Sequence, residues 1–435
     1  MGEKDTRIDR REFLKSTTTT AAAAAAGFMI VRPEAVRGTA ANSAVQLGII
    51  GCGGRGTSVA SSMMENTNLR VVAIADVFQD RLDAGNQRFS DLAQEKNFSK
   101  ISRGQLFRGS NGYLRLAESR HVDAVLISSP PYLHPDHLEA VVAAGKHAYC
   151  EKPVGVDVYG CKRVVRIGER AQGKTTLHVG FQIRNAPPFM EMVKRIHAGA
   201  LGEIVCGQAY YYSGALRARP ADGLSADAAR IRNWMHDREL SGDIIVEQNI
   251  HAIDICNWVL QSHPVRATAS GGRKVSTRPG KTWDHFNATF LYPNDVHVSF
   301  ASTQFIKGWG QVTERFFGAK GACESHYSHP VAIYGEEAWN AGLGPDQMSE
   351  TERKEAVRTG EFPGALEHAD SEKQKAFVAS ITEGRNDNQA VLGAESALTA
   401  ILARTAAYKG EEVTWDELIN SNDRWDPMVN TAALG

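Results

Sequence analysis

The chain has 435 residues, of which 42% are hydrophobic and 23% are charged. These fractions are typical of soluble globular proteins and the length is that of two or three domains, which argues against a globally disordered chain. The 49 Lys and Arg residues are balanced by 50 Asp and Glu residues, which argues against a protein dedicated to nucleic-acid binding, because such proteins usually carry a basic excess.

The first 40 residues have the features of an export signal. The pair Arg10-Arg11 is followed by Phe-Leu-Lys at 13–15 and by a weakly apolar stretch, rich in Thr and Ala, at 16–30. This stretch is shorter and milder than the roughly 20 apolar residues that a transmembrane helix needs. We therefore expect residues 1–40 to be a twin-arginine signal peptide, with no stable membrane anchor. The partner would be the Tat export machinery, and the mature protein would be periplasmic or otherwise extracytoplasmic.

The six cysteines, at positions 52, 150, 161, 206, 256 and 323, have no CxxC spacing. Zinc and thioredoxin-like sites are therefore not expected, whereas free and mostly buried thiols are. Free thiols are typical of a reducing compartment. A protein that folds in the cytoplasm before export keeps its thiols in the core, which reconciles them with the export signal.

A glycine-rich turn follows the first predicted strand. The apolar run 45–50 predicts a buried parallel strand, residues 51–56 read GCGGRG, and a helical stretch follows. This is GxGxxG in the strand–turn–helix context of a dinucleotide-binding loop, where the backbone approaches a pyrophosphate at the positive end of the helix. The residues expected to bind the cofactor in this loop are Gly51, Gly53, Gly54, Arg55 and Gly56.

A second apolar strand, 69–75, ends at Asp76, which lies 20 residues after Gly56. An acid at this distance binds the hydroxyls of the adenosine ribose and repels a 2′-phosphate. The sequence therefore favours NAD over NADP, although Arg81 is near enough to leave NADP open.

Two further strand–helix units follow. The run 122–127 predicts a strand, a Ser-Ser-Pro-Pro turn leads to a helix at about 134–144, and a strand at 148–150 precedes Glu-Lys-Pro. Alternating strands and helices indicate a parallel, doubly wound α/β sheet with right-handed crossovers. We expect a Rossmann dinucleotide-binding domain over residues 45–170.

Residues 171–435 have a different pattern. Short strands with no helical run among the last three indicate mostly antiparallel pairing, and hence an α+β domain for substrate binding and oligomerisation. Residues 335–370 are polar and irregular, and residues 372–408 predict helix. The predicted strands are 204–213, 267–271, 286–291 and 296–301.

Lys152 is the first candidate catalytic residue. It follows a predicted strand at its carboxyl end, where ligands bind in open α/β folds, and it precedes Pro153, which biases its backbone away from helix. An ammonium there can polarise a substrate hydroxyl and stabilise a developing alkoxide. The alternative is a surface lysine in a turn.

Glu247, His251 and Asp254 form a second cluster. Their spacings of four and three residues place them on one face if the segment is helical. Alcohol oxidation needs a base for the hydroxyl proton, a role that His251 suits, with Glu247 orienting it or binding a second hydroxyl. The alternatives are a structural core histidine and, for Asp254, a carboxylate that braces the helix. Since no HExxH motif occurs, we expect no metal site.

Several segments resemble one family. They are the GxGxxG turn, SPPYLH at 129–134, GKH at 145–147, EKP at 151–153, GFQIR at 180–184 and GDIIVEQNIHAID at 242–254. Over residues 45 to about 410 the chain resembles the glucose–fructose oxidoreductase, inositol dehydrogenase and MocA-like family. The resemblance implies a Rossmann domain joined to an α+β domain with a large, open, mostly antiparallel sheet. It also implies sugar or polyol substrates and a homodimer or homotetramer formed through that sheet.

The resemblance also implies roles for individual residues. Lys152 and His251 would be the catalytic pair, preceded by an acid that is usually Asp and is Glu247 here. The turns after the strands would contact the cofactor through Ser129, Pro130, His134, Glu151 and Lys152. Further candidates for the substrate pocket are Arg184, Tyr212 and Asp254.

These observations predict an NAD(P)-dependent oxidoreductase that moves a hydride between the CH–OH group of a small carbohydrate and a nicotinamide. An exported enzyme has little free NAD to recycle, so we expect a tightly bound cofactor. Two alternatives stay open: a glycoside hydrolase or lyase that oxidises its substrate transiently, and a protein that binds NAD or a sugar without catalysis.

Overall fold

A computed structural model describes residues 43–328, 331–341 and 364–434 of the protein. The expected signal peptide, 1–40, and part of the polar stretch 335–370 lie outside the described residues. The chain from Ala44 onward forms one compact unit.

The first six strands form a parallel sheet with the order β3-β2-β1-β4-β5-β6. The order reverses between β1 and β4, and ligands of open α/β sheets bind at such a point, beyond the carboxyl ends of the strands. The strands are β1 Val45–Ile50, β2 Leu69–Asp76, β3 Leu106–Arg108, β4 Ala124–Ile127, β5 His147–Cys150 and β6 Leu177–Val179.

Helices cover both faces of this sheet, which confirms the predicted Rossmann fold. A helix forms where apolar residues recur every three or four positions, as in α5, which buries Cys161, Val164 and Ile167. Strand β6 follows residue 170, where the sequence placed the end of the domain. The helices are α1 Gly54–Asn66, α2 Gln79–Glu95, α3 Gly112–Ala117, α4 His134–Ala143 and α5 Val158–Ala171.

The second sheet has nine strands in the order β14-β13-β12-β11-β7-β10-β9-β8-β15. All neighbours are antiparallel except β7 and β10, which are parallel. The expected mostly antiparallel sheet is therefore confirmed. The strands are β7 Ile204–Ser213, β8 Arg266–Gly272, β9 His285–Tyr292, β10 Val296–Gln304, β11 Gln311–Gly318, β12 Gly321–His326, β13 Ala332–Gly335, β14 Trp339–Asn340 and β15 Val413–Thr414.

The helices of the second half connect this sheet to the first. The helical region predicted at 372–408 is two helices, Ala369–Thr382 (α11) and Ala390–Lys409 (α12). Helix α11 packs against α1, and α12 packs against α5 and β8. Although α12 is long and apolar enough to cross a membrane, 78% of it is buried inside the protein. The helices are α6 Pro187–His197, α7 Ala226–Arg232, α8 Arg238–Ser241, α9 Ile244–Glu247, α10 Ile250–Leu260, α11 Ala369–Thr382, α12 Ala390–Lys409 and α13 Trp415–Ile419.

The cysteines lie mostly in the core. All six are free, and every one except Cys206 is buried. The expected free, mostly buried thiols are therefore confirmed.

Candidate active site

The turn between β1 and α1 has the shape of a phosphate-binding loop. Gly51 has a φ of +94°, and a Cβ on Gly56 would lie 2.2 Å from the carbonyl oxygen of Gly51, so both positions require glycine. A Cβ on Gly53 or Gly54 would meet no atom within 4 Å, so the space above the loop is open. No side chain caps the amino end of α1, which leaves its first N–H groups for a phosphate. The loop therefore fits a dinucleotide.

Asp76 ends β2 beside this loop. Its carboxylate accepts hydrogen bonds from the N–H groups of Cys52 at 2.8 Å and Phe78 at 2.9 Å. Burial raises the pKa of Asp76, and the two N–H donors act against this rise. Each carboxylate oxygen retains acceptor capacity, so the residue suits the ribose hydroxyls of an adenosine.

Arg55 links the glycine loop to two distant carboxylates. Its Nε lies 3.0 Å from Glu151 Oε1, and its terminal nitrogens lie 2.9 and 2.8 Å from the two oxygens of Asp370, in α11. Burial acts to lower the pKa of Arg55, but the two carboxylates outweigh it and raise that pKa. The expected cofactor contacts Arg55 and Glu151 are thus engaged with each other, and we assign them to holding the loop against α11.

The turn after β4 is held by buried hydrogen bonds. The hydroxyl of Ser129 lies 2.9 Å from Nδ1 of His137. The ring nitrogens of His134 lie 2.8 Å from the carbonyl oxygen of Ser129 and 2.7 Å from that of Pro153, and burial lowers the pKa of His134 to about 4. His134 is 1% exposed and ties two turns together, and its expected contact with the cofactor stays a prediction. Pro130, between them, is partly exposed.

Lys152 joins the first domain to the second. Its Nζ lies 3.0 Å from Glu247 Oε1 and also donates to the main-chain oxygen of Glu247. Only 13% of the lysine side chain and 14% of the glutamate side chain are exposed, so the alternative of a free surface lysine is excluded. An ammonium has three N–H donors, and one remains for a substrate oxygen.

The segment that carries Glu247 and His251 is not one continuous helix. Helix α9 ends at Glu247 and α10 begins at Ile250. In a continuous helix the carbonyl oxygen of Glu247 would accept from the N–H of His251; here it accepts from Lys152. The break therefore frees the oxygen that holds the lysine.

His251 lies in the first turn of α10. It is 8% exposed, its Nδ1 is buried without a hydrogen-bond partner, and the Phe181 ring meets it edge-on at 6.2 Å. Burial lowers the pKa of His251 well below its usual value, and the positive charges of Lys152 and Arg55 lower that pKa further. The imidazole is therefore neutral at neutral pH and able to accept a proton.

Arg184 and Asp254 are paired with each other. The guanidinium Nε and Nη2 lie 2.8 and 2.9 Å from the two carboxylate oxygens, and Ser396 donates to the same carboxylate at 2.6 Å. Arg184 also lies over the ring of Trp258, 5.2 Å from its centroid. Since Asp254 is 1% exposed, we assign the pair to bracing α10, which is the alternative that the sequence already offered for Asp254.

The expectation that Tyr212 lines the substrate pocket stays a prediction, and the structure gives the neighbours of its ring. Successive strand residues point to opposite faces, and it is Tyr211 that is buried. Burial raises the pKa of Tyr211, and the nearby charge of Glu247 raises it further. Tyr212 instead stacks on Tyr210 at 5.5 Å and approaches Trp309 at 5.7 Å, on the other face.

Sequence reasoning missed several residues around the site. Gln248 Oε1 accepts from Gln304 Nε2 at 2.9 Å, and Asn249 is fully buried with both polar side-chain atoms unpartnered. Buried polar atoms without partners are uncommon and mark places where a ligand group or water binds. Both residues lie in the helix break, which the sequence pattern did not indicate.

The described residues thus bring an ammonium, a neutral imidazole and a dinucleotide-binding loop into electrostatic reach of one another. This combination can bind an alcohol, take its proton and place its carbon against a nicotinamide. Within the ranges that the structure describes, no three His, Cys, Asp or Glu side chains gather into a metal-binding group.

Two family models match the chain. Residues 45–181 match the model described as "Oxidoreductase family, NAD-binding Rossmann fold", and residues 189–324 match the "GFO/IDH/MocA C-terminal domain". The two matches correspond to the parallel sheet and to most of the nine-stranded sheet.

Curated relatives are similar over much of their length. An inositol 2-dehydrogenase of Rhizobium meliloti is 26% identical over 295 residues, which are 66% of this chain and 78% of that protein. A myo-inositol 2-dehydrogenase of Thermotoga maritima is 25% identical over 280 residues, 64% of this chain and 74% of that protein.

Solved structures share the fold. An aldose-aldose oxidoreductase of Caulobacter crescentus, complexed with glycerol, has a TM-score of 0.66 at 18% identity and covers 85% of this chain and 99% of its own. A levoglucosan dehydrogenase in complex with NADH and levoglucosan has a TM-score of 0.64 at 19% identity, with coverages of 85% and 99%.

Proposed function

The chain belongs to the GFO/IDH/MocA family of NAD-binding oxidoreductases, and from this premise we propose that it oxidises or reduces a CH–OH group of a sugar, polyol or sugar derivative. The single observation that carries the proposal is the pairing of Lys152 with Glu247 within electrostatic reach of the neutral imidazole of His251. Lys152 is an electrostatic partner for the hydroxyl oxygen of a substrate, and His251 is a base for the proton of that hydroxyl.

Lys152 acts on the substrate oxygen. Two of its N–H groups are directed at Glu247, and the third polarises the hydroxyl. As the O–H bond breaks, the ammonium stabilises the negative charge that develops on oxygen. The fixed pair with Glu247 orients the lysine before substrate arrives, so little reorganisation is needed during the reaction.

His251 takes the hydroxyl proton. Its Nδ1 is buried, so we assign Nε2 to the substrate side. Because burial and two neighbouring cations hold its pKa low, the ring is ready as a base during oxidation. The same ring, once protonated, returns the proton when a carbonyl is reduced.

The cofactor is a nicotinamide dinucleotide held by the glycine loop, with Asp76 at the adenosine ribose. When bound in its oxidised form, it accepts the hydride that leaves the carbon as the proton leaves the oxygen. NAD is favoured over NADP because Asp76 would repel a 2′-phosphate. We further propose that the cofactor stays bound through the cycle, as an exported enzyme requires.

The substrate class follows from the relatives. Their names concern inositol, aldoses and levoglucosan, which are polyhydroxylated compounds. We therefore place the substrate of this chain among sugars and cyclic polyols. Export by the Tat route, a periplasmic location and a homodimer or homotetramer are part of the same proposal; they rest on the leader motif and on the family.

The decisive experiment begins with protein purified without added nucleotide. The proposal expects nicotinamide in the denatured extract by absorbance and mass, and NADH fluorescence when a sugar and polyol panel is added. NADH that returns to baseline only after a second carbonyl compound is added would indicate a ping-pong sugar oxidoreductase.

Two other results would replace the proposal. Cleavage of a glycoside without lasting NADH would identify the hydrolase or lyase alternative. Bound nucleotide with no reaction on any sugar, and the same content of bound nucleotide in Lys152→Met, would identify a binding protein.

A further inference from the structure

The segment between β7 and α8, residues 214–237, crosses from the second domain to the nucleotide end of the first. It contains α7 and is braced internally, since the Asn233 side chain bonds the main chain of Arg219 at both its N–H, 2.7 Å, and its carbonyl oxygen, 3.1 Å. Ser225 caps α7 by accepting from the N–H of Ala228. The segment is therefore a shaped element, and it has a fixed position against the first domain.

Arg232 makes the contact to the first domain. Its two terminal nitrogens lie 2.7 and 2.9 Å from the two carboxylate oxygens of Asp80, and its guanidinium lies 4.1 Å from the centroid of the Phe78 ring. Only 14% of the arginine side chain is exposed, against 60% of Asp80. A bidentate pair and a stacked ring together fix the guanidinium plane.

This contact lies at the adenosine end of the cofactor site. The N–H of Phe78 donates to Asp76, the residue assigned to the ribose. Arg232 lies over the ring of Phe78, so it covers the residue two positions after Asp76. The sequence gives no reason for an arginine 156 residues after Asp76 to be here.

Four residues after Arg232, His236 lies within electrostatic range of Glu247. Burial lowers the pKa of His236, the charges of Arg278 and Arg273 lower that pKa further, and the charge of Glu247 acts in the opposite direction. The backbone there is tightly packed, because a Cβ on Gly280 would lie 1.8 Å from the carbonyl oxygen of His236. The stretch 232–236 thus contacts the adenosine end of the cleft through Arg232 and lies within electrostatic range of Glu247 through His236.

The segment also adds positive charge beside the cleft. Partial desolvation lowers the pKa of Arg219, and the charges of Arg81 and Arg232 lower that pKa further, so the three guanidinium groups are within electrostatic range of one another. Asp80 neutralises Arg232. The remaining positive charge favours an anionic ligand such as a dinucleotide.

We propose that residues 217–236 form a strap over the bound dinucleotide, with Arg232 as the latch that closes it on Asp80 and Phe78. The inference rests on the proposed function, because it assigns these residues to holding the cofactor of that same site. In an open cleft the cofactor leaves directly into solvent; here the latch must open first. Because the Asp80 side chain is 60% exposed, the pair of Arg232 and Asp80 can open to let the cofactor bind, while its closed form slows release of the cofactor.

The test measures the release of NADH from the full-length protein. Protein loaded with NADH is mixed with excess NAD, and the loss of bound-NADH fluorescence gives the release rate. Arg232→Ala should release NADH about tenfold faster than the wild type, the loss of one exposed ion pair and one cation–π contact. Asp80→Asn, a change at an exposed side chain, should give an increase in the same direction and keeps the test valid if Arg232→Ala folds poorly.

The matched control is Arg195→Ala. Arg195 also pairs with a carboxylate, Glu191 at 2.9 Å, and lies 5.3 Å from an aromatic centroid, that of Trp339, but it belongs to α6. Its release rate should equal that of the wild type. Unchanged release in both Arg232→Ala and Asp80→Asn would overturn the strap.

The outcomes separate this inference from the proposed function. If the wild type binds NADH and oxidises no sugar, the proposed function is wrong, while the release rates still decide the strap. If sugar oxidation is found and the variants release NADH at the wild-type rate, only the strap is wrong. A wild type that binds no nicotinamide dinucleotide contradicts both.

Discussion

Lys152 Nζ lies 3.0 Å from Glu247 Oε1, although 95 residues separate the two along the chain. The lysine leaves the carboxyl end of the parallel sheet, and the glutamate ends a short helix of the second domain. Each domain thus supplies half of one hydrogen-bonded pair, and the reacting oxygen of a substrate would complete it. Catalytic geometry in this protein therefore depends on how the two domains pack.

Replacing Lys152 by methionine keeps most of the side-chain stem and removes the ammonium. We expect kcat to fall by about 10²–10³-fold, since one preorganised charge at the developing alkoxide is lost. NADH should still bind with wild-type affinity by fluorescence titration, because the glycine loop is unchanged. Lys194→Met is the control, at a side chain that is 78% exposed; wild-type turnover in Lys152→Met would contradict the assignment.

The acid limb of the pH–rate profile should report the protonation of His251. Burial and the charges of Lys152 and Arg55 lower its pKa, so the neutral base persists as pH falls through 6.5, the ordinary value for histidine. We expect kcat/KM for oxidation to stay flat through that pH and to fall only well below it. His251→Asn should abolish turnover at every pH while NADH remains bound. A limb centred near pH 6.5 in the wild type would rule out a buried, neutral His251 as the base.

Asp370→Asn tests the Arg55 network. It removes a charge from a carboxylate that is 5% exposed and receives two hydrogen bonds from Arg55. We expect the free energy of unfolding to drop by about 1–3 kcal/mol, the range for lost charged hydrogen bonds, with weaker NADH binding as the loop loosens. Urea unfolding measures the first effect and fluorescence titration the second.

The control for this variant lies on the same helix. Glu372→Gln breaks the exposed pair with Lys375, which is 2.8 Å long with side chains 42% and 48% exposed. Its effect should be below about 0.5 kcal/mol. Equal losses of unfolding free energy in the two variants would mean that the buried pair of Arg55 and Asp370 stabilises the fold no more than an exposed ion pair does.

Glu314 makes stability depend on pH. It is fully buried in β11, Ser325 donates to its Oε2 at 2.6 Å, and its Oε1 has no partner. Burial raises its pKa to about 8. Between pH 4.5 and 8 the folded protein therefore holds a proton that the unfolded chain releases, and this contribution to stability is lost as pH rises through 8.

Glu314→Gln removes that titration. Relative to the wild type, the variant should gain stability as pH rises from 4.5 to 8, by an amount on the order of a few kcal/mol. Urea unfolding at pH 5 and pH 8.5 measures the difference, and Glu65→Gln, at a side chain that is 51% exposed, serves as the control. A stability difference between wild type and variant that is the same at both pH values would show that Glu314 is already ionised in the folded state.

Local sequence spacing was enough to predict much of the first domain. Strand β1 begins and ends where the apolar run predicted, Gly51 has a positive φ, and a Cβ on Gly56 would collide with the carbonyl oxygen of Gly51. These features involve residues within about ten positions of each other, so dihedral preference and hydrophobic period determine them. The same reasoning placed Lys152 and His251 among the candidate catalytic residues.

Site residues whose partners are distant were harder to predict. Arg184 and Tyr212 were candidates for the substrate pocket, and only the structure shows that Arg184 pairs with Asp254 and that Tyr212 stacks on Tyr210. The spacing of Glu247 and His251 indicated one helix face, and the break between α9 and α10 is what frees the Glu247 carbonyl for Lys152. Periodicity does not encode such a break.

By itself, the sequence determined the dinucleotide loop, the acid that ends β2, the parallel sheet and the identities of the candidate acid–base groups, because each follows from short-range geometry. Only the tertiary structure decided their partners: Arg55 with Asp370 across 315 residues, and Arg232 with Asp80 across 152. Contacts over such separations depend on how helices and sheets pack against each other, since burial of apolar faces brings these charges together and no local pattern specifies which ones meet.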